Sequence, residues 1–146
     1  MNVPELVAAF YGRIWNRGDL DAVQDLISER FCFRGSLGKE MTGHDAFKDY
    51  VLSVRGPLSA YHCEILDCVT EVNKAAAKMR FSGIHSGGAF RGYPPTGKEV
   101  EWLGAAFFVL GSKIEELWVL GDLRSLDARL KANAAGNHMD PEQRGV

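Results

Sequence analysis

The spacing of the hydrophobic residues divides the chain into two parts. In the first part they recur every three or four residues, as at Leu6, Phe10 and Ile14, which is the spacing along one face of a helix. From Tyr61 onward they recur mainly at every second residue, as they do along a strand with one buried face. The first part therefore predicts helices, and the second part predicts a sheet.

Local signals give the boundaries of about three N-terminal helices, with a short strand at residues 31–34 between the second and the third. Favourable N-cap residues mark the starts, and Gly or Gly-Pro marks two of the ends: Asn2, Asp19 or Asp21, and Thr42 at the starts, Gly18 and Gly56–Pro57 at the ends.

The strands of the second part are predicted near residues 61–72, 79–85, 100–110 and 114–122. The strand at 100–110 is apolar on both faces, so both faces are expected to be covered. Helices cover one face of a single sheet, and a second subunit is the predicted cover of the other. On the last strand, the alternation places Trp118 and Asp122 on the same face.

Helices followed by strands are typical of an α+β fold, in which the helices pack on one face of a curved antiparallel sheet. The length fits one domain, predicted at residues 1–131, with a core and an internal apolar pocket. Residues 132–146 have few apolar side chains and are predicted to form a mobile tail.

Composition excludes several functional classes. Charged residues make up 25% of the chain and the net charge is -2, which gives no basis for binding nucleic acid or an anionic membrane. The longest nearly pure apolar run, residues 103–110, is too short to span a bilayer, and the N-terminus has no signal-peptide pattern. The three cysteines form no CxxC pair, which favours a reducing, cytoplasmic location.

Two polar residues lie on predicted inward faces of the sheet. Asp122 ends the last strand, and burial among aromatic side chains would raise its pKa and make it a proton acceptor near neutral pH. The structural alternative is an N-cap for a following helix. His85 shares a face with Phe81 just before a Gly-rich loop, where it either completes the site or is a satisfied structural residue.

Other side chains are candidates for binding a substrate. Arg34 follows two aromatic residues and either binds an anionic or carbonyl group or pairs with an acid. Trp15, Phe81, Trp102 and Trp118 are either core residues or the walls of a site for a flat, apolar ligand.

Several common motifs are absent or incomplete. Residues 92–98 match the start of a phosphate-binding loop, GxxxxGK, but Glu99 replaces the Ser or Thr that holds Mg²⁺, and Pro94 and Pro95 remove backbone donors. The histidines and cysteines form no metal-binding pattern, and no dinucleotide-binding or GxSxG motif is found. The sequence therefore predicts neither a metal nor a cofactor.

Three stretches resemble the SnoaL-like polyketide cyclases of the nuclear-transport-factor-2-like superfamily: FRGSLGKEMTGHDAFKDYV, FSGIHSGGAFRGYPPTGKEVEW and ELWVLGDLRSLDARL. Together they cover most of residues 4–130. The resemblance implies a cone-shaped, curved antiparallel sheet around the helices, and often a homodimer through the sheet.

The same resemblance implies cofactor-independent ring closure of a small apolar or aromatic β-carbonyl compound by intramolecular aldol condensation. Asp122 matches the family's acid/base and His85 matches its histidine before the loop, while Arg34 is a further candidate for stabilising oxygen charge. The superfamily also includes isomerases, dehydratases, epoxide hydrolases and non-catalytic binding domains, so a binding domain for a flat apolar ligand remains the alternative.

Overall fold

The helices and strands follow one another in the predicted order. The computed structural model describes residues 1–137 of the chain. The helical elements are α1 (Glu5–Ala9), a π-helix (Phe10–Asn16), α2 (Ala22–Leu26), α3 (His44–Arg55) and α4 (Leu123–Asn137). The strands are β1 (Ile27–Arg34), β2 (Glu40–Thr42), β3 (Leu58–Glu71), β4 (Lys74–His85), β5 (Glu99–Leu110) and β6 (Ile114–Gly121).

The six strands form one curved sheet in the order β2-β1-β6-β5-β4-β3. All neighbours are antiparallel except β1 and β6, which run parallel. The parallel pair is possible because the long path from β1 to β6 provides a crossover, which parallel strands require. The predicted α+β class is confirmed, with a mixed and mostly antiparallel sheet.

The inner face of the sheet carries the hydrophobic core. Along β4 every second residue from Ala75 to His85 is buried, as the alternation predicts. Helix α3 contributes the four buried residues expected from its spacing, including Phe47 and Tyr50. Aromatic rings join the layers, since Phe10 of the π-helix lies 5.7 Å from both Phe47 of α3 and Phe108 of β5, measured between ring centroids.

The predicted orientation of β6 is wrong. Leu117 and Val119 are buried, whereas Trp118 is 44% exposed on the outer face. The cause is an irregularity in the pairing of β5 with β6 between Val109 and Leu110. Ile114 is buried three residues before Leu117, so the alternation changes phase within the strand and every later side chain points the opposite way from the simple count.

The last helix extends beyond residue 131, the predicted end of the domain. Helix α4 continues through residues 132–137, which the sequence predicts to be part of the tail. Asn133 is buried and its side-chain amide donates a hydrogen bond to the carbonyl of Glu99 at 3.2 Å, which fixes this part of the helix to β5. The rest of the predicted tail, 138–146, lies outside the described residues.

Among residues 1–137, no helix covers the outer face of the sheet. Leu103 and Phe107 of β5 are 43% and 50% exposed there. Strand β5 therefore carries apolar residues on both faces, as predicted, but the helices within the described residues cover its inner face and leave the outer face open.

Candidate functional site

A small cavity lies between the helices and the inner face of the sheet. Its volume is about 20 Å³, which is close to the room that one water molecule needs. Most of its lining residues are aromatic: Phe10, Tyr11, Trp15, Phe33, Ser36, Tyr50, Tyr61, Cys63, Phe81, Leu117 and Val119. We call it the inner cavity.

The π-helix forms one wall of the inner cavity and contributes Phe10, Tyr11 and Trp15. A π-helix is rare, usually occurs as a single-turn insertion within an α-helix, and is frequent at functional sites. Its wider turn changes which side chains share a face, so three large rings within six residues all reach the cavity. Arg55 of α3 satisfies the end of this helix by donating to the carbonyl of Trp15.

Two buried hydroxyls in the cavity wall make no hydrogen bond of normal geometry. They belong to Tyr11 of the π-helix and Tyr50 of α3, and each residue is only 4% exposed. Tyr50 lies so close to Gly35 that a Cβ at that position would be 2.3 Å from its hydroxyl oxygen. Since buried polar groups are normally paired, these two hydroxyls are the unusual chemical feature of the cavity.

The titratable groups of the cavity wall are neutral at physiological pH. Burial raises the pKa of Tyr11 and Tyr61 well above the usual value, and raises that of Cys63 to about 12. Burial also raises the pKa of Tyr50, although hydrogen bonding from the Leu37 backbone and the Ser36 side chain opposes part of the rise. The phenols therefore keep their protons and act as hydrogen-bond donors, while the Cys63 thiol is a poor nucleophile.

Contrary to the prediction, Asp122 does not lie among aromatic side chains. It is exposed at the end of β6, and its carboxylate accepts a hydrogen bond from the Ser125 amide at 3.1 Å, so it caps α4. Hydrogen bonds from Ser125 lower its pKa, which corrects the expected rise. The preceding residue, Gly121, packs against the cavity wall, because a Cβ added to Gly121 would lie 2.5 Å from the carbonyl oxygen of Ser36.

His85 is fully buried and holds the loop that follows it. Its Nε2 is 2.7 Å from the carbonyl oxygen of Gly88, so this nitrogen is the donor, and Nδ1 has no partner. Its backbone carbonyl also accepts from the amides of Thr96 and Gly97. These contacts match the structural alternative, and His85 is not among the residues that line the inner cavity.

Arg34 and Trp118 are predicted to line the pocket, but both lie on the outer face of the sheet. The Arg34 guanidinium stacks on the Trp118 ring, 5.3 Å from its centroid, and donates to the backbone carbonyl of Val119. Both residues line an open outer groove of about 860 Å³. Arg34 faces outward because it follows the inward Phe33 on β1, and Trp118 does so because of the irregularity in the β5–β6 pairing.

The other three aromatic candidates are all on the inner side. Trp15 and Phe81 line the inner cavity. Trp102 is buried behind it, with its ring centroid 5.4 Å from that of Phe81 and 6.1 Å from that of Phe90. A role in substrate binding stays a prediction for all three.

Sequence reasoning missed Tyr11, Tyr50, Tyr61 and Cys63 as cavity residues. Tyr11 and Tyr50 had been counted only as parts of apolar helix faces. One signal was available, because a tyrosine on a buried face carries a hydroxyl that needs a partner. Within residues 1–137, no group of three or more His, Cys, Asp or Glu is placed to hold a metal ion. No helix in the described part of the chain is long and apolar enough to cross a membrane.

The curved sheet, the helices on its inner face and the aromatic cavity between them define an α+β cone with an aromatic core. The family model of the SnoaL-like polyketide cyclases matches residues 5–130, and the chain belongs to that family. No curated protein matches the chain in sequence.

Solved structures agree with this fold. A candidate polyketide cyclase from Acidithiobacillus ferrooxidans superposes with a TM-score of 0.80 at 19% identity, covering 92% of this chain and 100% of its own. IdmH from Streptomyces antibioticus, also a candidate polyketide cyclase, gives 0.76 at 20% identity, with coverages of 87% and 96%. TsrD from Streptomyces laurentii gives 0.75 at 20% identity, with coverages of 90% and 99%. At these identities the similarity establishes the nuclear-transport-factor-2-like cone.

Proposed function

We propose that this protein binds a small, flat, apolar carbonyl compound in the inner cavity and closes a ring in it without a cofactor. The observation that supports this most is the aromatic cavity walled by a π-helix, in a chain of the SnoaL-like polyketide cyclase family. Apolar walls with a few polar groups are the usual composition of a small-molecule site. A volume of about 20 Å³ means that the ligand enters only when the aromatic side chains move apart.

The proposed reaction is an intramolecular aldol condensation with Asp122 as the acid and base. The carboxylate takes a proton from the carbon between two carbonyl groups, which leaves an enolate. The enolate carbon then attacks a ketone carbon of the same molecule, so a C–C bond forms and the ketone oxygen becomes an alkoxide. Protonated Asp122 returns its proton to the alkoxide, and the cavity holds the two carbons close together.

In this proposal the Asp122 side chain has to change its conformation before it can act. Its hydrogen bonds with Ser125 keep it ionised at neutral pH, but they also occupy the carboxylate and make it a weaker base. The carboxylate must therefore break its hydrogen bonds with Ser125 and rotate past Gly121 toward Ser36, which lines the cavity.

Asp122→Asn tests this assignment, because asparagine is also a good N-cap and keeps the helix end intact. We expect loss of ring closure of a short diketo ester, followed by chromatography, with an unchanged melting temperature. Asp21→Asn alters the N-cap aspartate of α2 and is the matched control, which should keep full turnover. Full turnover in Asp122→Asn would refute the role of Asp122.

His85 is the second catalytic residue of the proposal, with Nδ1 as its available atom. In His85→Gln the amide nitrogen can still donate to the Gly88 carbonyl, while the imidazole is removed. If His85 is catalytic, turnover falls while the melting temperature stays near that of the wild type. If both stay unchanged, His85 only anchors the loop.

A non-catalytic binding domain is the second candidate function. It is favoured because no carboxylate or imidazole is among the residues that line the inner cavity within the described chain. In that case a flat apolar ligand raises the melting temperature and changes the tryptophan fluorescence, no product forms, and Asp122→Asn has no effect on ligand affinity.

We also propose that two copies of the chain pack through the outer face of the sheet. The strand register aligns one apolar row with a charged end, which we call the outer stripe: Arg34, Trp118, Phe107, Ala76 and Val69. Charges of both signs flank both ends, with Arg34 beside Glu40 at one and Lys74 beside Glu71 at the other. A two-fold rotation can thus place acid against base around an apolar centre.

Analytical ultracentrifugation tests this pairing. The wild type should sediment as a dimer, and Phe107→Glu should sediment as a monomer because it places a charge at the centre of the stripe. Val72→Glu, at the fully exposed β3–β4 turn, is the control and should remain dimeric. A monomeric wild type would exclude the proposed dimer.

A further inference from the structure

The unpartnered hydroxyls of Tyr11 and Tyr50 lie on two different elements that face one cavity. We infer that these two hydroxyls donate hydrogen bonds to one oxygen atom of the ligand, and that the ligand is an uncharged apolar compound with a carbonyl or enol oxygen. This inference rests on the proposed binding of a ligand in the inner cavity.

The first argument is the imbalance of donors in the apoprotein. A buried hydroxyl without a partner destabilises the folded state, and phenylalanine would fill almost the same volume without that penalty. The two hydroxyls do not bond each other, and neither makes a hydrogen bond of normal geometry. The Leu37 backbone and the Ser36 side chain lie close enough to the Tyr50 hydroxyl to lower its pKa, whereas Tyr11 has no such neighbour. Tyr61 differs, since its hydroxyl interacts with the Cys63 thiol. The inner cavity therefore offers the Tyr11 hydroxyl as a donor without an acceptor, and the Tyr50 hydroxyl as a second donor that is not in good geometry with any acceptor.

The second argument is the absence of charge around those donors. The residues lining the cavity within the described chain are aromatic, aliphatic, Ser or a neutral Cys. The charges of Arg34 and Arg55 act on Tyr50 and Cys63, but both guanidinium groups are engaged outside the cavity lining. Arg34 is stacked on Trp118 at the outer face, and Arg55 donates to the backbone carbonyl of Trp15. An ionised ligand would lose its hydration without gaining a counter-charge, whereas a neutral carbonyl oxygen needs only hydrogen-bond donors.

The third argument is the position of the donors. Tyr50 packs against the rings of Phe33 at 5.3 Å and Trp15 at 5.8 Å, measured between centroids, and Gly35 allows its hydroxyl to approach the backbone. Tyr11 packs edge-on against Phe108 at 5.9 Å. These contacts place both hydroxyls at the wall of the closed cavity, next to the space that opens when the rings move apart. In a ring-closing reaction the same donors would stabilise an enolate oxygen.

The test compares two ligands that differ by one oxygen, 1-indanone and indane, by isothermal titration calorimetry. The wild type should bind the ketone about ten times more tightly, which is the effect of a buried hydrogen bond of ordinary strength. Tyr11→Phe should reduce or abolish this preference and leave the affinity for indane unchanged. Tyr93→Phe removes the same atom from a tyrosine outside the cavity and should keep the preference.

Thermal unfolding of the same variants without ligand separates a binding role from a structural one. Removing an unpartnered hydroxyl should leave the melting temperature of Tyr11→Phe unchanged or higher. A lower melting temperature would mean that the hydroxyl is already satisfied, by an internal water for example, and would refute the inference. Binding of both ligands with no preference would also refute it while leaving the proposed cavity site intact. If neither ligand binds, both the site and the inference fail.

Discussion

The side-chain amide of Asn16 forms hydrogen bonds with both the backbone carbonyl and the backbone amide of Cys63. Its Nδ2 donates to the Cys63 carbonyl oxygen at 3.1 Å, and its Oδ1 accepts from the Cys63 amide at 2.7 Å. Because β3 is an edge strand, these backbone groups have no neighbouring strand to pair with. Asn16 takes the place of that strand, and it also fixes the end of the π-helix to the sheet.

Replacing Asn16 should therefore destabilise the protein. Asn16→Ala leaves an amide and a carbonyl of a partly buried strand without partners, and we expect a loss of about 1–3 kcal/mol in the free energy of unfolding. Urea denaturation measures this loss. Asn2→Ala changes an exposed asparagine and should stay within about 0.5 kcal/mol of the wild type. Equal stability of both variants would show that the Asn16 contacts contribute little.

Gly35 and Gly12 make a matched pair of substitutions. A Cβ at Gly35 would lie 2.3 Å from the Tyr50 hydroxyl oxygen, so Gly35→Ala should displace Tyr50 and lose about 1–3 kcal/mol. Gly12, in the π-helix, has no atom within 4 Å of the added Cβ. Gly12→Ala should therefore be neutral or stabilising, by up to about 1 kcal/mol. Chemical denaturation of both variants decides the point, and an equally stable Gly35→Ala would show that Tyr50 has room to move.

The ion pair between Arg91 and Asp127 should make stability depend weakly on pH. Two hydrogen bonds of 2.7 and 3.0 Å join the loop after β4 to α4, and Arg91 lowers the pKa of Asp127. Because the folded pKa is below the unfolded value, the contribution is present above about pH 4 and is lost as the pH falls through the folded pKa.

Asp127 is half-exposed, so the contribution should be under about 1 kcal/mol. Asp127→Asn should show a flatter decline in the free energy of unfolding between about pH 5 and pH 2 than the wild type, and less sensitivity to salt. Identical pH profiles for the two proteins would show that the pair adds nothing to stability.

Cys32 and Cys63 should react at different rates with a thiol reagent. Cys32 is exposed, whereas Cys63 is buried and its pKa is raised to about 12. Because the thiolate is the reactive form of a cysteine, and the raised pKa keeps Cys63 almost entirely protonated at pH 8, Cys63 should react slowly. Mass spectrometry after brief labelling should find Cys32 modified and Cys63 intact, while urea should make both reactive. Rapid labelling of Cys63 in the folded protein would show that the inner cavity opens readily.

Local patterns in the sequence determined most of the elements. The inward face of β4, the buried face of α3 and the end of the first helical segment at Gly18 follow from spacing and from a positive φ that glycine tolerates. These features depend on residues within one element, so a linear pattern is enough to predict them. The resemblance of three stretches to the SnoaL-like family is likewise confirmed by the match over residues 5–130.

The tertiary structure alone decided which side chains meet at the site. One irregularity in the pairing of β5 with β6 reversed the side of Trp118, and no count of alternating residues shows it. The π-helix brought Tyr11 to the same cavity as Tyr50, which is 39 residues away in a different helix. Register shifts, rare helical turns and contacts between distant elements depend on the packing of the whole chain, and therefore the sequence indicated Asp122 and His85 while the structure brought forward Tyr11 and Tyr50.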